Sequence, residues 1–397
     1  MLPHAASVPD SPEAGRTRQH LVRLVVPSIQ VALAVLYLVA VARFYTPGVG
    51  FTRFIAFPLD SGWELPLLNQ TPHYQEPTGG GYDGQFYAQM ALEPSLRDPR
   101  IDRALDLAPY RARRILFSWT AWVLGLGRPF WVLQAYALQN VACWLVLAWY
   151  LARRFPQRDA RALAVWFGCL FGHGLLISTR LALADGPSML LIVGAVAAFE
   201  RGRPWLGSLV LGVSGLGRET NLLAGTALLA PGTHSVRQVL RIVGCGVLAL
   251  LPTLIWLDYL RSIYRSGVFN GTGGFIVTPF VTYWRTWDAA VGSLTAHCLS
   301  SPALFGVLAL IGLLVQAIYL VAAAQPKAVW WRVGFPYVFL MLTMHAVVWE
   351  GLPGASTRVL LPMSVAFNML LPTGRWFWPL AILGNLSVVP GLLAIRA

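Results

Sequence analysis

The sequence predicts an all-α fold: a polytopic membrane protein of about 10–12 transmembrane or partly re-entrant helices, with an external loop carrying amphipathic interfacial helices. Three observations lead there. The 397-residue chain is 56% hydrophobic and only 12% charged, with a mean hydropathy of +0.59, whereas a soluble domain carries about 25% charged residues. Apolar runs of roughly 20 residues recur along its whole length. These runs are continuous and do not alternate, which disfavours an outer-membrane barrel.

Residues 1–23 read as a cytoplasmic N-terminal tail. Arg16, Arg18 and Arg23 ahead of apolar Leu24 to Val41 give this end the layout of a signal peptide, with Ala40-Val41-Ala42 as its cleavage site. The apolar stretch is longer than a usual signal core and reads as a retained first helix, about 24–44. A loop over 46–113 follows, in which Asp83 to Leu92 has helical spacing with Tyr82, Phe86 and Met90 on one stripe, the mark of an amphipathic helix lying in an interface. Arg114 to Leu126 is short for a crossing, and 129–151 is a clear span. Further apolar segments cover about 161–179, 184–199, 204–217, 219–231 and 239–258, completing a core over 24–258. Residues 259–302 read as a second external loop and 303–397 as C-terminal transmembrane helices near 303–324, 328–349, 358–372 and 376–395.

The net charge of +13 comes mostly from arginine. Nucleic-acid binding needs such charge on a soluble basic face, and here it lies between apolar segments, so no nucleic-acid partner is expected. Arg153, Arg154, Arg158, Arg161, Arg201, Arg203, Arg237, Arg241, Lys327, Arg332 and Arg375 fall between spans and orient the chain with those loops in the cytoplasm. That orientation puts 46–113 outside and holds only if a segment around 114–151 is partly re-entrant. It also leaves Arg111, Arg113, Arg114, Arg180, Arg218, Arg261, Arg265, Arg285 and Arg358 on the outer side, against the rule, which calls for a functional reason. Cys143, Cys169, Cys245 and Cys298 have no close spacing and suggest neither a disulfide framework nor a zinc site.

Carboxylates are scarce and unevenly placed. Of 17 in the chain, eight lie within 46–113: Asp60, Glu64, Glu76, Asp83, Glu93, Asp98, Asp102 and Asp106. Asp83 is set among aromatics in Gly81-Tyr82-Asp83-Gly84-Gln85-Phe86-Tyr87. One reading makes it a helix N-cap accepting free backbone N–H groups. The other makes it a base taking a proton from an attacking hydroxyl, with stacked rings facing a sugar or a flat head group. Arg180 with Asp185, and Arg218 with Glu219, interrupt apolar stretches, and each such charge at a helix centre costs about 2.5–3.5 kcal/mol. Either they pair at a water-exposed turn or they line a polar cavity opening outward. Guanidinium forks suit phosphate oxygens, so an arginine wall opposite a carboxylate base fits transfer from a lipid phosphate. The glycine-rich Phe269 to Gly274 stretch reads as a flexible turn or a ligand-wrapping loop, and His173 and His345 as packing residues.

Tyr82-Asp83-Gly84-Gln85-Phe86-Tyr87, then Ala91, then Tyr110 to Arg114-Ile115-Leu116, resembles the first external loop of GT-C glycosyltransferases, particularly relatives of GPI mannosyltransferase II and bacterial cell-surface glycopolymer formation proteins. Ala184-Asp185-Gly186-Pro187-Ser188 stands where the mannosyltransferases carry Tyr-Thr-Glu-Ser, and Leu216-Gly217-Arg218-Glu219-Thr220-Asn221 where they carry Thr-Arg-Pro. The likeness covers roughly 80–230; Asp185 departs from the family's Glu and Glu219 from its Pro. It implies a polyprenyl-phosphate sugar donor, an active site outside a bacterial cytoplasmic membrane, and Asp83 as catalytic base.

The expectation is therefore an inverting glycosyltransferase acting on a glycan or glycolipid acceptor among membrane lipids. Arg180, Arg218, Arg113, Arg114 and Arg358 are expected to hold the donor phosphate, and Tyr82, Gln85, Tyr87, Asp185 and Glu219 the sugar or acceptor. No tightly bound cofactor is implied, and a divalent metal is left open. The alternatives are a transporter or flippase for a lipid-linked or anionic solute, and a non-catalytic scaffold of an envelope-polymer assembly. The residues chosen converge on one wet pocket only if segments far apart in sequence meet.

Overall fold

A computed structural model describes residues 12–59, 62, 64–79, 81–155, 159–232, 235–264, 278–296, 301–349, 351 and 354–395. The glycine-rich 269–274 stretch and Cys298 lie outside them. The described chain is mostly helical, and its one sheet is the two-residue parallel pair β1 (Phe57–Pro58) and β2 (Gln75–Glu76). Helix α1 (Pro12–Ala42) enters the loop region, which holds the short α2 (Pro66–Asn69), α3 (Gly84–Leu92) and α4 (Ala108–Arg111). Then come α5 (Leu116–Leu124), α6 (Pro129–Arg154), α7 (Ala160–Phe171), α8 (His173–Arg180), α9 (Asp185–Glu200), α10 (Pro204–Gly215) and α11 (Val236–Tyr264). The C-terminal part contains α12 (Val281–Ala296), α13 (Ser301–Ala323), α14 (Val329–Thr343), α15 (Ala346–Trp349), α16 (Gly354–Val359), α17 (Leu361–Met369), α18 (Phe377–Gly384) and α19 (Val388–Ala394).

Among the described residues four helices are long and apolar enough to cross a membrane: α1 over Val25–Ala42, α6, α11 and α13 over Pro302–Ala323. Two bent pairs, α7 with α8 at 42° and α18 with α19 at 44°, raise the number to six if each is one span. The remaining apolar segments are shorter than continuous hydropathy suggests, because local chemistry breaks them. The 161–179 run breaks at Gly172, and the 376–395 run between Gly384 and Val388. Residues 219–231 form a 3₁₀ helix from Glu219 to Leu228 rather than an α-helix. The short 114–126 segment becomes the nine-residue α5, folded back on α6 through Gly125, Leu126 and Gly127. At about 1.5 Å per residue α5 is far too short to span by itself. Gly125 permits that hairpin, since a Cβ there would stand 2.4 Å from the Val132 backbone nitrogen.

Prolines open several helices at positions where a missing N–H does no harm: Pro129 in α6, Pro204 in α10 and Pro362 in α17. The core is built from large aromatics. Trp144 on α6 stacks on Tyr37 of α1 at 3.9 Å between centroids and meets Trp166 and Phe171 of α7 edge-on. Where helices approach closely, small residues lie at the contact. A Cβ on Gly212 of α10 would stand 2.8 Å from the Ala249 carbonyl of α11. Asn368 and Asn385 exchange amide hydrogen bonds of 2.9 and 2.8 Å beside Gly168, tying the C-terminal helices to α7.

Helix α3 begins where its spacing predicts, but all nine of its residues are buried, so it does not lie half-exposed in an interface. The amide of Gln89 is satisfied inside, accepting from the Leu65 N–H at 2.8 Å and donating to the Ala104 carbonyl at 3.2 Å, whereas Gln85 Oε1 is buried without a hydrogen-bond partner among the described residues.

Candidate functional site

Three groups of residues, drawn from stretches distant in sequence, meet at the start of α3. The first is α3 itself. Gly84 seats its N-terminus directly on the turn at Leu181 and Ala182, where a Cβ would stand 2.3 Å from the Leu181 carbonyl oxygen. Asp83 occupies the N-cap position with helical backbone angles, φ −48° and ψ −31°, and its side chain caps nothing. Its carboxylate turns instead to Arg111, whose Nη2 donates to Asp83 Oδ1 at 2.9 Å.

The second segment is the run from α4 into the 3₁₀ turn Ala112–Arg114, which places three arginines within four residues. Trp256 of α11 fixes this turn by donating its indole N–H to the Ala112 carbonyl at 2.9 Å. Arg111 also pairs with Asp106, through Nε at 2.9 Å and Nη2 at 2.7 Å, and lies over Phe86 at 4.9 Å. Arg114 donates to Glu219 at 3.1 Å, to the Tyr87 hydroxyl at 3.2 Å and to the Tyr110 hydroxyl at 2.7 Å. Arg113 reaches the other oxygen of Glu219 at 3.4 Å. The Tyr110 ring has Arg111, Arg113 and Arg114 around it at 5.6, 4.7 and 4.6 Å, so three cations share one aromatic ring.

The third group gathers Asp185, Arg218 and Arg358 from three separate stretches. Asp185 opens α9, where the helix dipole favours an acid. The turn before it is held by Asn140, which donates to the Leu183 carbonyl, by Ser178, which accepts from the Gly186 N–H, and by Tyr136, which donates to the Ala182 carbonyl. Ala182 has φ +47°, a left-handed conformation rare for a residue with a Cβ. Arg218 leaves α10 in extended backbone, with Gly217 packed against Phe117, and pairs with one oxygen of Asp185. Arg358 of α16 takes the other oxygen at 3.1 Å and donates to the Tyr82 hydroxyl at 2.9 Å. That last bond joins the third cluster to the residue beside Asp83.

The structure thus brings together Asp83, Tyr82, Tyr87, Arg113, Arg114, Arg218, Arg358, Asp185 and Glu219 from the expected set. It separates two. The amide of Gln85 lies back against Gly81, where a Cβ would stand 2.7 Å from its Nε2. Arg180 turns to another neighbourhood, donating to the Arg53 carbonyl at 3.3 Å over the Phe44 ring. Sequence reasoning counts Arg111 only among the outer arginines and Asp106 only among the loop acids. The pairing of Arg111 with Asp83 spans 28 residues and has no spacing signal.

Five guanidiniums (Arg111, Arg113, Arg114, Arg218, Arg358) face four carboxylates (Asp83, Asp106, Asp185, Glu219), leaving one net positive charge. Three buried guanidinium nitrogens, Arg113 Nη2, Arg218 Nε and Arg358 Nε, have no hydrogen-bond partner among the described residues, and neither do the buried hydroxyls of Ser188, Thr220 and Ser356 on the same segments. Buried donors without acceptors are uncommon and call for an explanation. Burial pushes the Asp83 carboxyl up, but Arg111, Arg358 and Arg114 together outweigh it and hold the group below the ordinary carboxylate range. Its side chain keeps 33% exposure, so an ionised oxygen remains open to solvent or substrate. Among the described residues no group of three His, Cys, Asp or Glu side chains is placed to hold a metal ion. No family model matches the chain, and neither a curated protein nor a solved structure does.

Proposed function

We propose that the protein is a membrane glycosyltransferase of GT-C type. It would move a sugar from a polyprenyl-phosphate donor to a hydroxyl of a cell-envelope glycan or glycolipid, with inversion, on the outer face of a bacterial cytoplasmic membrane. One observation carries this reading: an ionised, accessible carboxylate, Asp83, stands within a cluster of five arginines that has buried N–H groups to spare. The resemblance of the loop around Tyr82-Asp83 supports the same conclusion.

The chemistry follows from those groups. The acceptor oxygen forms a bond to the anomeric carbon from the side opposite the phosphate, and its proton passes to Asp83 Oδ. The bond between that carbon and the phosphate oxygen breaks, and its electron pair leaves with the polyprenyl phosphate. Arg113, Arg218 and Arg358 hold the developing charge through their free N–H groups. Tyr82 and Tyr87 flank the sugar, each already fixed by an arginine. Asp185 and Glu219 act here as counter-charges that hold the arginine forks in place, a role the pairings support better than sugar contact. A low carboxyl pKa makes Asp83 a weak ground-state base. It suits a reaction in which the hydroxyl becomes acidic only as its bond to carbon forms.

The test is turnover by the purified protein in liposomes with polyprenyl-phosphate sugars of differing head groups. The expected result is release of free polyprenyl phosphate matched by a glycosylated acceptor. Absence of any product with every donor tried would refute the reading. A second reading, transport of a lipid-linked or anionic solute, rests on the two bent helix pairs, since discontinuous helices commonly line transport sites. Solute flux across proteoliposomes without product would favour it.

A further inference from the structure

The far end of the same helices carries a second arrangement unrelated to the chemistry of Asp83. Helices α6 and α9 run parallel: Tyr136 and Asn140 in the first half of α6 bond to the turn leading into α9, and Arg154 at the end of α6 pairs with Glu200 at the end of α9 at 3.2 Å. The Arg154–Glu200 end is therefore opposite the Asp83 cluster. It holds a cavity of about 740 Å³ lined by Trp149, Tyr150, Arg153, Arg154, Glu200 and Arg201, among others. A groove of about 340 Å³ adjoins it, sharing Trp149 and Arg153. The groove lies between Pro27, Val31 and Ala34 of α1, Leu145 and Ala148 of α6, and Trp166 of α7. From Arg153 back to Leu145 it follows α6 for about eight residues, about 12 Å at 1.5 Å per residue.

We propose that these two cavities seat one anionic phospholipid of the surrounding bilayer, its head group in the basic cavity and one acyl chain in the apolar groove. Charge selects the head group. Arg154 is neutralised by Glu200, while Arg153 and Arg201 form no ion pair among the described residues, so the cavity keeps two uncompensated cations. Arg153 lies over the Trp149 ring at 4.6 Å, which fixes a guanidinium at the mouth where head group and chain diverge. Shape selects a lipid over a free anion, since the groove starts at that arginine and runs along α6 away from the charged end. Positive residues at helix ends also serve orientation, but orientation gives no reason for an apolar channel leading from them.

The test uses full-length protein in nanodiscs of phosphatidylglycerol and phosphatidylcholine, with retained lipids counted by native mass spectrometry. Wild-type protein should hold phosphatidylglycerol in preference to phosphatidylcholine. The variant R153Q/R201Q leaves the Arg154–Glu200 pair intact and should lose that preference by roughly 25-fold, at about fivefold per basic residue. Ala34→Trp, which fills the groove without touching charge, should reduce retention of the long-chain lipid while leaving binding of short-chain glycerol phosphate unchanged. Thermal melting by tryptophan fluorescence checks that each variant is folded. Equal retention of both lipids by wild-type protein, or an undiminished preference in R153Q/R201Q, overturns the proposal. None of these outcomes depends on glycosyltransfer.

Discussion

At the residue scale the site is built from pairs whose members need each other. Asp185 is 4% exposed and lies between Arg218 and Arg358. Replacing it with Ala strands two guanidiniums in a buried setting, a change that destabilises by about 3–5 kcal/mol. Chemical denaturation in detergent should show that loss; an unchanged midpoint would mean the pairs contribute nothing. The pH behaviour of Asp83 has a definite sign. A carboxyl held below its ordinary value of 3.8 contributes stability that is fully present above that value and disappears as pH falls through the lower, folded-state value. Transfer limited by this base should therefore be flat between about pH 5 and 8 on its acid side. An acid limb near neutrality that vanishes in Asp83→Asn would show a carboxyl raised above its ordinary range, against the lowering by Arg111, Arg358 and Arg114; one that persists in Asp83→Asn would assign the base to another group. The residues themselves are legible unevenly. Asp83 stands out because aromatic and acidic types rarely cluster in so acid-poor a chain, and Arg218 because it interrupts apolar segments. Arg111 does not stand out, since nothing local distinguishes it from Arg113 and Arg114.

At the element scale the site depends on backbone close to backbone. Gly84 lets α3 rest on the 181–182 turn, and that contact sets where Asp83 stands relative to Asp185. Gly84→Val should misplace the α3 N-terminus and reduce transfer by about 100-fold or more, since displacements near 1 Å cost about that much in positioning. A rate within a fewfold of wild type would show that this seat is dispensable. The helices are legible as apolar runs, but their breaks are not. Hydropathy averages across a window, so Gly172 inside the 161–179 run adds little to the signal although it separates α7 from α8. The enclosure of α3 is equally hidden, because a stripe of Tyr82, Phe86 and Met90 has the same spacing whether one face or the whole helix is covered.

At the scale of the whole molecule, the parallel course of α6 and α9 separates two charged ends by the length of a helix. If the apolar helices cross a bilayer, those ends lie on opposite sides. Single cysteines at the exposed positions Arg103 and Arg203, in a background without native cysteines, should react with an impermeant maleimide from opposite faces. Labelling of both from one side would overturn the proposed orientation. The long apolar helices are legible in a composition with only 12% charge, whereas convergence of loop, turn and C-terminal arginines needs tertiary structure. In the proposed function an acidic oxygen and an anion-holding wall act on one substrate. The most direct measurement is single-turnover transfer by Asp83→Asn at saturating donor, alongside donor affinity for the same preparation. The rate should fall by about 10²–10⁴ with affinity little changed, because the arginine wall is intact. Transfer at the wild-type rate would remove Asp83 as the base.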